Sequence, residues 1–110
     1  MTVSYFVRYQ GAADNPDAFI NHYRTQHVPI LQQFPRIRGI ALHRPADWRD
    51  AFPVNPAGDF LLAQMVFESA ADLNAALASE ARARARADMP NFPRFSGTVS
   101  HQAMELETLL

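Results

Sequence analysis

Cysteine is absent from this chain of 110 residues. Its absence excludes disulfide bonds, catalysis by a thiolate and metal sites built on cysteine. Glycine is also scarce, with four scattered residues, so the sequence contains no glycine-rich loop of the kind that binds phosphates. Neither sign of charge dominates, because the formal net charge is −1. A nucleic-acid-binding protein is expected to show a basic face, so this balance argues against nucleic acid as a partner.

Long hydrophobic runs are missing too. The longest one extends from Phe60 to Phe67, is interrupted by Gln64, and is too short to cross a membrane. The N-terminus lacks the basic stretch, apolar segment and cleavage site of a secretion signal, so we expect a cytoplasmic protein with no membrane partner. Hydrophobic residues make up 48% of the chain and charged residues 19%, which is typical of a folded protein. We expect a single domain that covers residues 1–110.

The segment from Asn15 to Pro35 has the strongest pattern in the chain. Asn15 is suited to cap a helix, and Pro16 is suited to its first position. Apolar and aromatic side chains then recur every three or four residues, which predicts a helix with one stripe facing a core. The stripe consists of Phe19, Ile20, Tyr23, His27, Ile30, Leu31 and Phe34. Pro29 lacks an N–H and crowds the preceding turn, so we expect the helix to kink or restart near His27.

Four strands and a second helix are predicted around this first helix. The strands cover Val3–Tyr9, Ile37–Arg44, Asp59–Glu68 and Arg94 or Phe95 to Met104, and the second helix extends from Ser69 to about Asp88. The order β-α-β-β-α-β predicts an α+β fold with a four-stranded antiparallel sheet and both helices on one face. The third strand is apolar on both faces. We therefore expect the open sheet face to meet a second copy in a two-fold symmetric homodimer.

Most familiar catalytic and binding motifs are not found. His22 and His27 are five residues apart, so they are expected to diverge around a regular helix, and we expect no metal site. The sequence has no G-x-S-x-G motif and no serine with a visible histidine and acid partner. An RNA recognition motif shares the predicted element order, but it needs a basic aromatic signature on its third strand. The corresponding segment DFLLAQMVF lacks that signature.

His27 and its surroundings remain as the candidate site. A pocket between an apolar helix and an aromatic sheet suits a flat apolar ligand with one or two oxygens. Histidine titrates near neutral pH, so His27 is the candidate catalytic acid or base, although such a residue can equally be a hydrogen-bonded structural one. The candidate substrate-binding residues are Tyr5, Phe6, Tyr23, His43, Trp48 and Gln64. Trp48 lies in the long connection Pro45–Gly58, where it either anchors the loop or contacts the pocket or a partner subunit.

Residues of the first helical region also form a spaced pattern. They are Phe19, Tyr23, His27, Pro29 and Ile30, followed by Phe34, Pro35, Arg38 and Gly39. This pattern resembles the signature of the EthD family, although Ile30 stands where leucine is common. The segment FESAADLNAALASEARARARADMPNF resembles the second helix of that family and the turn after it. The resemblance implies a ferredoxin-like monomer, a homodimer of the dimeric α+β barrel superfamily, and a pocket between helices and sheet with His27 at its polar end.

The resemblance does not name a reaction, because one fold hosts many. Family members include proteins encoded with ether-oxidising cytochrome P450 systems, methylmuconolactone methylisomerase and fungal polyketide-tailoring enzymes. Our first hypothesis is a cofactor-free isomerase, decarboxylase or lyase that acts on a cyclic or aromatic oxygenated compound, with His27 moving a proton. The second is a non-catalytic accessory or binding protein that assists an oxidase of ether or aromatic degradation. A third is cofactor-free or haem-dependent oxidation, although no residue besides His27 favours haem.

Overall fold

Four antiparallel strands form one sheet in the computed structural model, which describes residues 1–110. The strands are β1 (Val3–Ala13), β2 (Gly39–His43), β3 (Asp59–Phe67) and β4 (Phe95–Glu105), and their spatial order is β2-β3-β1-β4. The central strand β1 pairs with both β3 and β4 over most of its length. This order is the ferredoxin-like arrangement, so the predicted fold is confirmed.

The helices cover one face of this sheet. The first helical segment is continuous and consists of α1 (Pro16–His22), a π-helical turn (Tyr23–His27) and α2 (Val28–Leu31). The second region contains α3 (Ala70–Leu77), α4 (Glu80–Asp88) and a 3₁₀ turn (Met89–Asn91). These helices and the four-stranded sheet confirm the predicted α+β class with helices on one sheet face. No helix combines the length and the apolar character needed to cross a membrane.

The core lies between the helices and one face of the sheet. Strand side chains point alternately to the two faces, so Tyr5, Val7 and Tyr9 are buried while Arg8 is exposed. The largest fully buried side chains are Tyr23, Phe19, Phe67 and Leu61. Burial of each such apolar side chain contributes roughly 1.5–3 kcal/mol, and this packing fixes the helices on the sheet. The pairing of Val7 with His101 places His101 on the same, helix-covered face.

The helical irregularity expected near His27 is present as the π-helical turn. The N–H of Val28 donates to the carbonyl of Tyr23, five residues earlier, rather than to the residue four earlier. Pro29 follows and has no N–H to donate, so it cannot restore the regular α-helical hydrogen bonding at this point. The hydroxyl of Thr25 donates to the carbonyl of Asn21 at 2.8 Å. The helix is therefore irregular near His27, and turns of this type often occur at functional sites.

The prediction of one helix from Ser69 to about Asp88 is wrong, because the helix ends and restarts at Ala78 and Ser79. Ser79 is the N-cap of α4, where its Oγ accepts from the N–H of Arg82 at 3.3 Å and donates to the carbonyl of Ala76 at 2.6 Å. Serine competes well for backbone groups in this way, which favours a break over a continuous helix. The restart gives α4 its own orientation on the sheet.

A close approach of two strands occurs at a glycine pair that the sequence pattern did not indicate. Gly11 is part of β1, where it pairs with Gly97 of β4. Their φ angles are +143° and +148°, and a Cβ on either would lie 2.1 Å from a carbonyl oxygen of the opposite strand. Only glycine fits there. At Gly39 of β2, by contrast, a Cβ would make only an ordinary 3.7 Å contact with the side chain of Val66.

The opposite face of the sheet is not covered by helices. Phe6, Arg8 and Gln64 lie on this face, together with Leu62 and Val66 of β3. The connection between β2 and β3 forms no helix or strand. Trp48 in this connection is 56% exposed, so it is not buried against its own chain.

Candidate functional site

A pocket of about 400 Å³ opens between the sheet and the helices. One wall is the helix-covered face of β1, β3 and β4, and the other is formed by the π-helical turn, α2 and α4. Ten of the fifteen lining residues are hydrophobic, and none is acidic. A concave apolar cavity with a few polar groups is the usual form of a small-molecule site.

Asp88 connects His22 with His27, which lines this pocket. Its Oδ2 lies 2.9 Å from Nδ1 of His27 and 3.1 Å from Nε2 of His22, while its Oδ1 accepts from the side-chain amide of Asn91 at 3.2 Å. The side chains of His27 and Asp88 are 6% and 9% exposed. Asp88 is the last residue of α4, His22 is the last residue of α1, and His27 is the last residue of the π-helical turn. We call these three residues the His22–His27–Asp88 cluster.

The expectation that His22 and His27 diverge is wrong, because the π-helical turn changes the angle between them. In a regular α-helix, residues five apart point to different sides. The wider turn brings both rings to the same carboxylate oxygen. No group of three or more histidine, aspartate or glutamate side chains is arranged to hold a metal ion. The convergence therefore produces a hydrogen-bonded cluster around Asp88.

The protonation states in this cluster follow from burial and hydrogen bonding. Burial lowers the pKa of His27, and the hydrogen bond and charge of Asp88 offset this only partly. Burial favours a higher pKa for Asp88, but hydrogen bonds from His27, Asn91 and His22 outweigh it and lower that pKa. Near pH 7 Asp88 is therefore an ionised acceptor, and His27 is neutral with its proton on Nδ1. This tautomer leaves a lone pair on Nε2.

The Nε2 atom of His27 is open to the pocket. No buried side-chain nitrogen or oxygen lacks a hydrogen-bond partner, and Nε2 makes no hydrogen bond within the chain, so it is accessible from the cavity that His27 lines. The ring is held between aromatic neighbours, with its centroid 5.0 Å from that of Tyr23 and 5.0 Å from that of Phe92. His27 thus has one anchored nitrogen and one free nitrogen in an apolar setting.

The buried side chains of Tyr9 and Tyr23 lie near His27 in the pocket. The rings of Tyr9 and Tyr23 are 6.4 Å apart and perpendicular, and both line the cavity. Burial raises the pKa of Tyr9 to about 12. Burial, and to a smaller extent the neighbouring Tyr9, raise the pKa of Tyr23. Both hydroxyls stay protonated near pH 7 and can donate hydrogen bonds to an oxygen of a bound ligand.

A second polar group lies further along the pocket. The hydroxyl of Tyr5 is 2.7 Å from Nδ1 of His101, and the Arg82 guanidinium lies 5.9 Å from the centroid of the Tyr5 ring. Arg86 lines the same part of the cavity, one helical turn after Arg82. Burial, followed by the charges of Arg82 and Arg86, lowers the pKa of His101. We call Tyr5, His101, Arg82 and Arg86 the cationic end.

Three of the seven candidate site residues meet in this pocket. Tyr5, Tyr23 and His27 line it, as expected for residues on the helix-covered face and the helical stripe. The other four, Phe6, His43, Gln64 and Trp48, do not line it. Gln64 lies on the open sheet face, where it bonds to His43 at 3.1 Å and to Ser4 at 3.0 Å. These residues lie apart from the pocket because successive strand positions point to opposite faces.

Several residues of the site were missed by sequence reasoning. Asp88 was treated only as the approximate end of a helix, and no arginine of the run EARARARAD was a candidate site residue. Arg84 bonds Gln33 at 2.7 Å and does not line the pocket, but Arg82 and Arg86 do line it. The available signal was the spacing of Arg82 and Arg86, which puts them on one side of α4.

The fold and the site define a ferredoxin-like α+β protein with a helix-covered, largely apolar pocket and a buried histidine–aspartate pair. The model of the EthD domain matches residues 15–96. The chain therefore belongs to the EthD family. An uncharacterised 11.0 kDa protein from the thcB–thcC intergenic region of Rhodococcus erythropolis is 39% identical over 102 residues, covering 93% of this chain and 92% of the relative.

Solved structures share the fold at low sequence identity. An EthD family protein from Bacillus halodurans has a TM-score of 0.74 at 19% identity, covering 97% of this chain and all of that one. A variant of SnoaB, a cofactor-independent oxygenase from Streptomyces nogalater, has a TM-score of 0.68 at 15% identity, covering 99% of this chain and 96% of that one. A dimeric ferredoxin-like protein of unknown function from Bacteroides fragilis has 0.61 at 12%, covering 96% of each chain. At these identities the likeness establishes the fold.

Proposed function

We propose that this EthD-family protein is an enzyme that transfers a proton on a small cyclic or aromatic oxygenated compound, with His27 as the acid or base and no cofactor. The observation that carries the proposal is the free Nε2 of His27, open to an apolar pocket while Nδ1 is anchored on the buried Asp88. A neutral imidazole oriented by a carboxylate is well suited to act as a general base.

The chemistry starts at a carbon next to a ring carbonyl. Nε2 of His27 removes a proton from this carbon, and the C–H electron pair moves onto the carbonyl oxygen to give an enolate. The Asp88 carboxylate stabilises the imidazolium that forms. The hydroxyls of Tyr9 and Tyr23 donate hydrogen bonds to the oxygen as it gains negative charge, which stabilises the transition state in a water-poor cavity. Where the substrate has a carbon–carbon double bond next to this carbon, the enolate is a dienolate, and return of the proton to the far end of that double bond completes an isomerisation.

The comparisons support an enzyme of this general type. SnoaB is described as a cofactor-independent oxygenase, so the same fold carries small-molecule chemistry in that protein. At 15% identity the likeness does not transfer its reaction to this chain. The choice of proton transfer rests on the His22–His27–Asp88 cluster of this chain alone.

Hydrogen–deuterium exchange tests the proton transfer without knowledge of the natural substrate. The probe is 1-tetralone in heavy water, followed by the NMR signal of the protons next to its carbonyl. The wild-type protein should accelerate their loss, and His27→Gln should remove at least about a hundredfold of this acceleration, as expected for loss of a general base. His43→Gln is the matched control, because His43 lies on the opposite face of the sheet.

Each outcome separates the proposal from its alternative. Exchange that survives in His27→Gln would contradict a role for this residue in proton transfer. Binding of 1-tetralone with no acceleration in the wild-type protein would favour the accessory or carrier function. Melting temperatures of both variants, measured by circular dichroism, show whether a loss of exchange reflects unfolding.

We also propose that two copies pair through the open sheet face. Phe6, Leu62 and Val66 lie on this face without a helix to cover them. The Bacteroides fragilis structure with the same fold is described as dimeric. A two-fold dimer would cover these side chains and would also enclose His43 and Gln64, which bond to each other there.

A further inference from the structure

Two arginines point into the pocket without an acidic partner. Arg82 and Arg86 line the cavity, and neither forms an ion pair with an aspartate or glutamate. The lining contains no carboxylate that could balance them. Arg84, which lies between them in sequence, bonds to Gln33 outside the pocket. Arg82 is partly buried and Arg86 is exposed, and they lie one helical turn apart on the same side of α4. Their like charges repel each other, and an anion placed between them would relieve this repulsion.

Tyr5 and His101 extend this cationic end into the wall of the sheet. Their hydrogen bond of 2.7 Å ties the side chains of two neighbouring strands together. The Arg82 guanidinium lies 5.9 Å from the Tyr5 ring centroid. Burial and the two arginines lower the pKa of His101, which keeps this ring neutral near pH 7 and able to hydrogen-bond a ligand. The cationic end therefore offers guanidinium donors beside a preformed polar pair.

Most of the cationic end is separated from His27 by an apolar middle section. Arg82 and Asp88 are six residues apart on α4, roughly 9 Å along the helix axis, whereas Arg86 is two residues, roughly 3 Å, from Asp88. Tyr5 and Tyr9 are four residues apart on β1, or about 13 Å. Val7, Met65 and Ala85 line the pocket between them. The separation matches a flat molecule of about two fused rings.

We propose that the substrate is an aromatic or cyclic carboxylic acid whose carboxylate binds Arg82 and Arg86. The rings then lie along the apolar middle section, and the reacting carbon faces Nε2 of His27. Guanidinium and carboxylate form charge-assisted hydrogen bonds in matching planar geometry, which fixes the ligand in one orientation. This inference rests on the proposed function for the identity of the reacting end, but the anion-binding end is tested on its own.

A matched pair of ligands tests the carboxylate directly. The probes are 2-naphthoate and 2-naphthamide, which share size and shape and differ in charge, titrated calorimetrically into the full-length protein at pH 7.5. Naphthoate should bind at least about tenfold more tightly than the amide, as expected for a partly desolvated arginine–carboxylate contact. The ratio of the two dissociation constants is the readout, because it cancels changes in the apolar part of the pocket.

Substitutions on α4 show which arginines cause the preference for 2-naphthoate over 2-naphthamide. Arg82→Gln and Arg86→Gln should each reduce the ratio about three- to tenfold, and the double variant should bring it close to one. Arg84→Gln removes the same charge from the same helix and should leave the ratio within about twofold of wild type, since Arg84 does not line the pocket. The two single variants provide independent tests if one of them folds poorly.

The outcomes distinguish this inference from the proposed function. Equal affinities for naphthoate and naphthamide would overturn the carboxylate site, while exchange of 1-tetralone could still establish proton transfer by His27. If Arg84→Gln reduced the ratio of dissociation constants as much as Arg82→Gln and Arg86→Gln do, the preference would be a general effect of charge. This result would also overturn the carboxylate site. Failure of both probes to bind would reject the carboxylate site and the aromatic pocket together.

Discussion

Asp88 is the residue on which the protonation of the site depends. Its carboxylate accepts hydrogen bonds from His27, His22 and Asn91 while it is almost fully buried. A buried carboxylate is costly unless such donors surround it, and in return it fixes the orientation of each donor. For His27 this means that the proton lies on Nδ1 and the lone pair on Nε2.

The Asp88→Asn variant tests this assignment. An asparagine amide can donate to Nδ1 of His27 as well as accept from it, so the Nδ1–H form is no longer enforced. Two-bond ¹H–¹⁵N correlations at pH 7.5 should show the Nδ1–H tautomer in the wild-type protein and a shift towards Nε2–H in the variant. His22→Gln is the control, because it leaves the bond between His27 and Asp88 in place. A wild-type spectrum dominated by the Nε2–H form would contradict the proposed base.

Burial of His27 also makes the stability of the protein depend on pH. Because its pKa is lowered below the usual 6.5, the unfolded chain binds a proton more readily than the folded chain as the pH falls through 6.5. The free energy of unfolding should therefore decrease on acidification from pH 7.5 to pH 5. The contribution of Asp88, whose pKa is lowered from 3.8, is lost only at lower pH. Urea unfolding at a series of pH values measures this dependence.

In His27→Gln, the free energy of unfolding should decrease less than in the wild-type protein between pH 7.5 and pH 5. Some decrease should remain, because the pKa of His101 is lowered as well and acts in the same direction. Ser96→Ala, which changes an exposed side chain that does not titrate, should retain the wild-type dependence. A His27→Gln variant with an undiminished decrease would show that burial of His27 is not its source.

Among the elements, the first helical segment shows where sequence reasoning succeeds and where it stops. Pro29 made an irregularity near His27 predictable, because proline cannot donate the next hydrogen bond. Its form as a π-helical turn was not predictable, since this depends on how the segment packs on the sheet. The convergence of His22 and His27 on Asp88 depends on that form, so the cluster was not accessible from spacing alone.

The break between α3 and α4 is an element-scale feature with a single main cause. Ser79→Ala removes the hydrogen bond that caps α4 and the bond to the Ala76 carbonyl. The variant should lose about 1–2 kcal/mol of unfolding free energy, as is usual for loss of a helix cap. It should also weaken the preference for 2-naphthoate, because α4 carries Arg82 and Arg86. Urea unfolding and the calorimetric ratio are the two measurements.

Ser96→Ala is the control for this prediction. Ser96 is exposed on β4 and its side chain makes no hydrogen bond, so the change should cost less than about 0.5 kcal/mol. If Ser79→Ala were as stable as Ser96→Ala, the helix break would have to be maintained by packing rather than by the cap.

At the scale of the whole molecule, alternation along the strands explains which site residues were predicted. The order of strands and helices followed from hydrophobic periodicity, and Tyr5 and Tyr23 entered the pocket as expected. Phe6 follows Tyr5 directly on β1 and pairs with Gln64, so both Phe6 and Gln64 point to the other face of the sheet. Which strand face the helices cover depends on the pairing of distant segments, and a sequence pattern does not state this.

The open face leads to a prediction about assembly. Phe6→Glu places a charge in the middle of this face, between Gln64 and Gln102 of the neighbouring strands. Burial of an unpaired charge in an interface is strongly unfavourable, so the variant should be a monomer. Light scattering after size-exclusion chromatography should give twice the 12.4 kDa chain mass for the wild type and the single mass for Phe6→Glu. Ala83→Glu adds the same charge on the exposed side of α4 and should stay dimeric. A wild-type protein of single mass would remove the dimer and leave the open face to another partner.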